Sequence, residues 1–155
     1  GELAKAGKVD QLILNQAIDN FKINSYSQSL DIKNFDVTFA RGLSLEDGCA
    51  TITNFTAYLI AEGLKHISQK NKITFLICGG GRKNIYLIDC IKSYLSMENI
   101  ITLEFIDKFN LKGDYIESQA FAFLAIRSFL NLPISFSTTT GCKEFTVGGK
   151  LVENF

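Results

Sequence analysis

The sequence predicts an α/β domain in which helices cover a small, mainly parallel sheet. Three observations carry that reading. Two short runs of apolar and β-prone residues stand at 73–78 and 100–106. A segment of helical period joins them, and two longer helical patterns, 44–67 and 114–130, flank them. Strands joined through a helix of this length form a βαβ unit, which is parallel and right-handed. Two strands make a sheet too small to be stable alone. Either the irregular segments add strands or another polypeptide completes the sheet.

The chain has 155 residues, enough for a single domain with a real core. Lys plus Arg and Asp plus Glu balance at 16 each, so no net field draws nucleic acid or an anionic membrane. No apolar stretch reaches the roughly 18 residues of a membrane span. No charged-then-apolar leader is read at the start, and a cytoplasmic protein is expected. The chain opens at Gly1 without a methionine and reads as a piece of something longer. Cys49, Cys78, Cys90 and Cys142 form no CxxC pair and share the chain with a single histidine, His66. That spacing does not suit zinc, and buried, reduced thiols are expected.

Residues 7–21 read as an amphipathic helix with Val9, Leu12, Ile13, Ala17, Ile18 and Phe21 on its apolar face. Residues 22–42 are irregular and should pack through Tyr26, Phe35 and Phe39, with a short strand at 36–39. Ser44 caps the long helix, with Asp47 at its third position. Leu45, Cys49, Ile52, Thr56, Leu59, Ile60, Gly63, Leu64 and Ile67 recur at threes and fours along it. Gly48 and Gly63 weaken a helix and so mark close approach of another backbone.

The run 73–78 is a buried strand leading straight into three glycines. The helix at 85–95 should bury Leu87, Ile88, Ile91 and Leu95. The second strand is followed by a loop at 107–113. Residues 114–130 are apolar nearly all round, so that helix should be buried on more than one face. Pro133 ends the segment, 135–141 is a polar turn, and 145–152 returns as an extended piece turning at Gly148 and Gly149.

Gly79, Gly80 and Gly81 lie where ligands bind in open α/β sheets, outside the carboxyl end of a strand. Without Cβ atoms they let a nucleotide approach the backbone, and a following helix N-terminus favours phosphate. The competing reading is a tight turn with Asn84 as the helix cap and nothing bound; pattern alone leaves the two level. Arg82 and Lys83 read as solvated charges rather than phosphate ligands. Asp114 and Glu117, spaced D-x-x-E, read first as a capping box and second as a carboxylate aimed into a cleft. Residues 138–141, Thr-Thr-Thr-Gly, read as a surface turn. His66, near a helix end, has no catalytic role.

The motifs also stand in a recognisable order. The opening GELAKAGKVD is followed by Ser44-Leu45-Glu46-Asp47, by Cys78-Gly79-Gly80-Gly81-Arg82-Lys83-Asn84, and by Gly113-Asp114-Tyr115-Ile116-Glu117 running into Ala120-Phe121-Ala122. Leu132-Pro133 and Thr139-Thr140-Gly141 complete the series. Across essentially its whole length the chain resembles the C-terminal part of the anhydro-N-acetylmuramic acid kinases.

That resemblance implies part of the C-terminal lobe of an actin-like ATPase or sugar kinase fold (ribonuclease H-like), its sheet incomplete. It implies MgATP-dependent phosphorylation of 1,6-anhydro-N-acetylmuramic acid with opening of the anhydro ring by water, in bacterial recycling of cell-wall sugars. Gly79, Gly80, Gly81 and Asn84 would border the nucleotide, and Glu117 would face the sugar. The first phosphate loop and the catalytic aspartate would belong to an N-terminal lobe absent from this chain, leaving it inactive alone. Ser137 stands where a proline is expected, which loosens the Thr loop. The implied partners are nucleotide, amino sugar, and an N-terminal half or a second copy. The alternative is a non-catalytic interaction module from a split or decayed kinase gene.

Overall fold

A computed structural model describes residues 1–21, 35–69 and 71–152. Its elements are α1 (Glu2–Ala6), α2 (Gln11–Asn20), α3 (Leu45–Ser68), β1 (Ile73–Ile77), α4 (Ile85–Tyr94), β2 (Ile101–Phe105), α5 (Ile116–Phe129) and α6 (Ser137–Thr140). β1 and β2 pair in parallel, with Ile73 opposite Ile101 and Ile77 opposite Phe105. Among the described residues no third strand joins them; Thr146, in the expected final extended piece, forms a separate antiparallel bridge with Ser135.

The helix expected at 7–21 begins only at Gln11, and a short helix the sequence did not indicate, α1, precedes it. Gly7 breaks the chain between them, and a Cβ there would collide with the Glu46 carbonyl at the start of α3. Asp10 then starts α2 by accepting from the Ile13 N–H at 3.0 Å. The buried side of α2 is Leu14 and Ala17, whereas Leu12 is 81% exposed. Val9, Ala17, Ile18 and Phe21 face the core as their period assigns, and Leu14 takes the buried place expected of Leu12. The strand expected at 36–39 is instead a turn: the Asp36 carboxylate accepts from the Thr38 N–H and hydroxyl, and a 3₁₀ turn follows at Thr38–Ala40. Phe35 stacks on Phe21, and Phe39 meets Phe55 edge-on, as the aromatic reading of this segment required. Tyr26 lies outside the described residues.

α3 is the spine. Ser44 caps it through the Asp47 N–H at 3.1 Å. The Asp47 carboxylate accepts from the Lys8 N–H at 2.7 Å rather than reaching back to the cap. The face that is buried is not the large-residue stripe: Leu45 and Ile67 are exposed, while Gly48, Ala50, Thr51, Phe55, Ala57 and Ala61 are buried. Small residues carry the packing because neighbours close in on several sides. Ala57 and Ala61 lie against Ile88, Ile91 and Leu95, with Ile77, Leu103 and Phe105 of the sheet closing that cluster. Phe55 lies in a second cluster with Leu14 and Ala17. Gly48 is buried, yet a Cβ there would meet only ordinary contacts at 3.9 Å. α4 buries the residues its period assigns, Leu87 being half-buried.

Two expectations of burial fail. β1 alternates between half-buried and exposed, with Leu76 45% exposed, because only one face of the sheet packs against the helices. No residue of α5 is buried, and Phe121, Phe123, Ile126 and Phe129 are all more than half exposed. An apolar helix can be buried only where another layer covers it, and the described residues supply none. The four cysteines are free, but Cys78 is exposed and the other three are half-buried. No helix of the described residues is long and apolar enough to cross a membrane.

Candidate functional site

The glycine turn leaves the carboxyl end of β1 as expected, but it does not run straight into a helix. Gly79 takes φ +75°, a conformation that favours glycine, and its N–H donates to the Gly113 carbonyl at 3.0 Å. A 3₁₀ turn, Gly80–Lys83, follows. Only then does Asn84 cap α4, its side-chain oxygen accepting from the Leu87 N–H at 3.1 Å. The α4 N-terminus is therefore occupied by its own cap and set back from the glycines. A Cβ added to Gly79, Gly80 or Gly81 would meet nothing within 4 Å. The turn thus presents bare backbone to open space.

Arg82 holds this turn. It is 9% exposed, where the sequence suggested a solvated charge. Its Nε donates to Asp107 Oδ2 at 2.8 Å and its Nη2 to Asp107 Oδ1 at 3.2 Å. Its Nη1 donates to the Gly79 carbonyl at 2.9 Å and to Asp114 Oδ1 at 2.7 Å. The Gly113 N–H adds a bond to Asp107 Oδ1 at 3.2 Å. A Cβ on Gly113 would sit 2.6 Å from Arg82 Nε, so only glycine leaves room for the guanidinium. Lys83 is exposed and reaches Asp114 Oδ1 at 2.9 Å.

These contacts set the local electrostatics. Hydrogen bonds from Arg82, then from Lys83, hold the Asp114 carboxyl well below the usual carboxylate range. Arg82, followed by the Gly113 N–H, lowers Asp107 as well. The two carboxylates in turn raise Arg82, Asp114 first. Two positive and two negative groups balance, so the cluster offers no surplus charge to an anion.

The capping box does not form. Asp114 is drawn away to Arg82 and Lys83, and α5 begins after Tyr115 with no side-chain cap. Glu117 lies in the first turn of α5, exposed, with no hydrogen bond or ion pair among the described residues. Its carboxylate is available in a way a capping residue's is not. The Thr run forms the short helix α6, and the Thr139 and Thr140 hydroxyls bond back to the Phe136 carbonyl. His66 is exposed in the last turn of α3.

The sequence reads Arg82 as a solvated charge and gives Asp107 and Gly113 no part in the site, although one signal for their meeting is present. Parallel strands in register end at the same edge, with Ile77 beside Phe105. An arginine shortly after one strand and an aspartate shortly after its partner are then neighbours, however far apart in sequence.

Comparison with known proteins gives the same answer as the motifs. The family model of anhydro-N-acetylmuramic acid kinase matches residues 1–154. An anhydro-N-acetylmuramic acid kinase of Pelagibacter ubique (strain HTCC1062) is 46% identical over 160 positions, covering all of this chain and 42% of the relative. Those of Rhizobium rhizogenes and Caulobacter vibrioides are 36% and 35% identical, over 99% and 98% of this chain and 40% of each relative. The chain thus spans about two fifths of the length of the curated relatives it matches. Matched over nearly every residue, it belongs to the anhydro-N-acetylmuramic acid kinase family.

Proposed function

We propose that this chain is the C-terminal, nucleotide-side portion of a kinase that phosphorylates 1,6-anhydro-N-acetylmuramic acid with ATP and water, giving N-acetylmuramic acid 6-phosphate. The observation that carries the reading is the open, Cβ-free turn at Gly79, Gly80 and Gly81, set at the end of a parallel strand in a chain of this family. Bare backbone there admits a nucleotide to contact distance. Asn84 stands beside it, with its oxygen engaged in capping and its amide nitrogen left to donate. Glu117, unengaged at the start of α5, is the residue on the sugar side.

The lobe is that of an actin-like sugar kinase, its sheet completed by polypeptide outside these residues. That polypeptide would supply the catalytic base and the first phosphate loop. Phosphoryl transfer depends on positioning and charge stabilisation, so the chain alone is expected to be inactive. Mg²⁺ would arrive with the nucleotide, held in large part by its phosphate oxygens; among the described residues no three His, Cys, Asp or Glu side chains gather as a metal site.

The test is calorimetric titration of ATP into the chain, with and without the amino-terminal half of a relative. An assay for sugar 6-phosphate runs alongside. Binding that strengthens with the added half, and turnover only in its presence, is the expected result. Turnover by the chain alone would contradict the division of labour.

A non-catalytic interaction module is a second reading, favoured by the bare phenyl rings of α5. Stable pairing with the amino-terminal half and no nucleotide binding in the complex would select it.

A further inference from the structure

We propose that Arg82 is a positioning residue: it ties the glycine turn after β1 to the loop that opens α5, and it touches no phosphate itself. The inference rests on the reading that the glycine turn borders a nucleotide, and it adds how that turn is held at a fixed offset from Glu117.

The geometry assigns the role by what the guanidinium already holds. A guanidinium has five N–H donors. Four of them are engaged: one by the Gly79 carbonyl, one by Asp114 and two by Asp107. The side chain is 10% exposed, so it cannot swing out to a ligand without abandoning all four. The three acceptors lie on three separate stretches of chain: the glycine turn, the 3₁₀ turn Ile106–Phe109 after β2, and the loop before α5. Two backbone N–H groups close the same junction: that of Gly79 donates to the Gly113 carbonyl and that of Gly113 to the Asp107 carboxylate.

Without the guanidinium, Asp107 and Asp114 would repel each other where the two loops meet. The turn and the start of α5 would then move independently. Arginine suits the task and lysine does not, because the contacts need a planar fork aimed three ways. Lys83 is the contrast: it is 65% exposed, makes one ion pair, and holds no backbone.

The experiment compares Arg82→Gln, Arg82→Lys and Lys83→Ala by amide hydrogen exchange and by ATP titration. Where the chain alone binds too weakly to measure, the titration uses it together with the amino-terminal half. Arg82→Gln should speed exchange at the Gly79 and Gly113 amides at least about tenfold, while α3 and α4 amides stay protected. ATP affinity should fall about tenfold, Arg82→Lys should recover only part of it, and Lys83→Ala should stay within about threefold. If Arg82→Gln does not fold, Asp114→Ala removes one arm of the clamp and should speed the same two amides.

Unchanged protection of Gly79 and Gly113 in both variants would overturn the proposal, as would wild-type ATP affinity in Arg82→Gln. Full rescue by lysine would also overturn it, since charge alone would then suffice. If the wild-type protein and Gly80→Val bind no ATP alike, the nucleotide reading fails, and the exchange comparison still decides whether Arg82 couples the loops.

Discussion

Arg82 Nη1 lies 2.7 Å from Asp114 Oδ1, a contact across 32 positions of sequence. It joins the turn that follows the first strand to the loop that opens α5. Because Asp114 is committed there, it does not cap α5, and the neighbouring Glu117 is left unengaged. The candidate site is organised by this pair more than by the glycines themselves.

The pair makes stability depend on pH in a definite direction. Asp107 and Asp114 have folded-state pKa values lowered by Arg82. A depressed carboxylate adds stability that is complete above its unfolded value, ~3.9, and is lost as pH falls through the folded value. Asp114→Asn should therefore be less stable than wild type at neutral pH, with the gap closing in acid below about pH 3.9. Urea unfolding across that range reads the gap; one that does not vary with pH would mean the contact stabilises by shape rather than charge.

Gly79 and Gly80 should respond oppositely to substitution. Gly79 has φ +75° and ψ 178°, so Gly79→Ala should cost about 1–3 kcal/mol of stability in strain. Gly80 is not at positive φ and has open space around its would-be Cβ. Gly80→Val should leave the unfolding midpoint nearly unchanged and abolish ATP binding. Calorimetry on the folded variant decides it, and normal ATP affinity would return the turn to a purely structural role.

Asn84→Ala removes the cap of α4 and should destabilise the chain by about 1 kcal/mol, measured by denaturant unfolding. Asn84→Asp keeps an acceptor for the Leu87 N–H and should retain most of that stability. The added negative charge should nevertheless weaken ATP if the residue borders phosphate. Equal ATP affinity in the two variants would mean that Asn84 only caps.

The exposed rings of α5 make a separate prediction. Phe121 and Phe129 are 64% and 75% exposed. Replacing both with glutamate should change stability by less than about 0.5 kcal/mol per site and reduce self-association seen by light scattering. A large loss of stability would place these rings in a core.

Much of the frame was legible before the structure. The two strands, the α4 face at Ile88, Ile91 and Leu95, and the caps Ser44 and Asn84 follow from period and from side chains acting within one turn. α3 shows where that reading stops: its length is plain from the period, but the face assigned to Leu45, Ile52, Ile60 and Ile67 is not the buried one, which holds Ala50, Thr51, Phe55, Ala57 and Ala61. Backbones that approach closely select small residues, and a hydrophobic count overlooks them. The Asp114 and Glu117 pair was read as a local cap because the capping motif is local, whereas a distant guanidinium took the aspartate.

The sequence by itself determined the order of α3, β1, α4, β2 and α5, the parallel pair and the place of the glycine turn at a strand end. Hydrophobic period and local caps act over a few residues, so they can be read from the chain. Tertiary structure decided which faces are covered and where Arg82 goes. Its contacts to Asp107 and Asp114 span 25 and 32 positions. They form only once in-register parallel pairing has brought the ends of β1 and β2 to one edge.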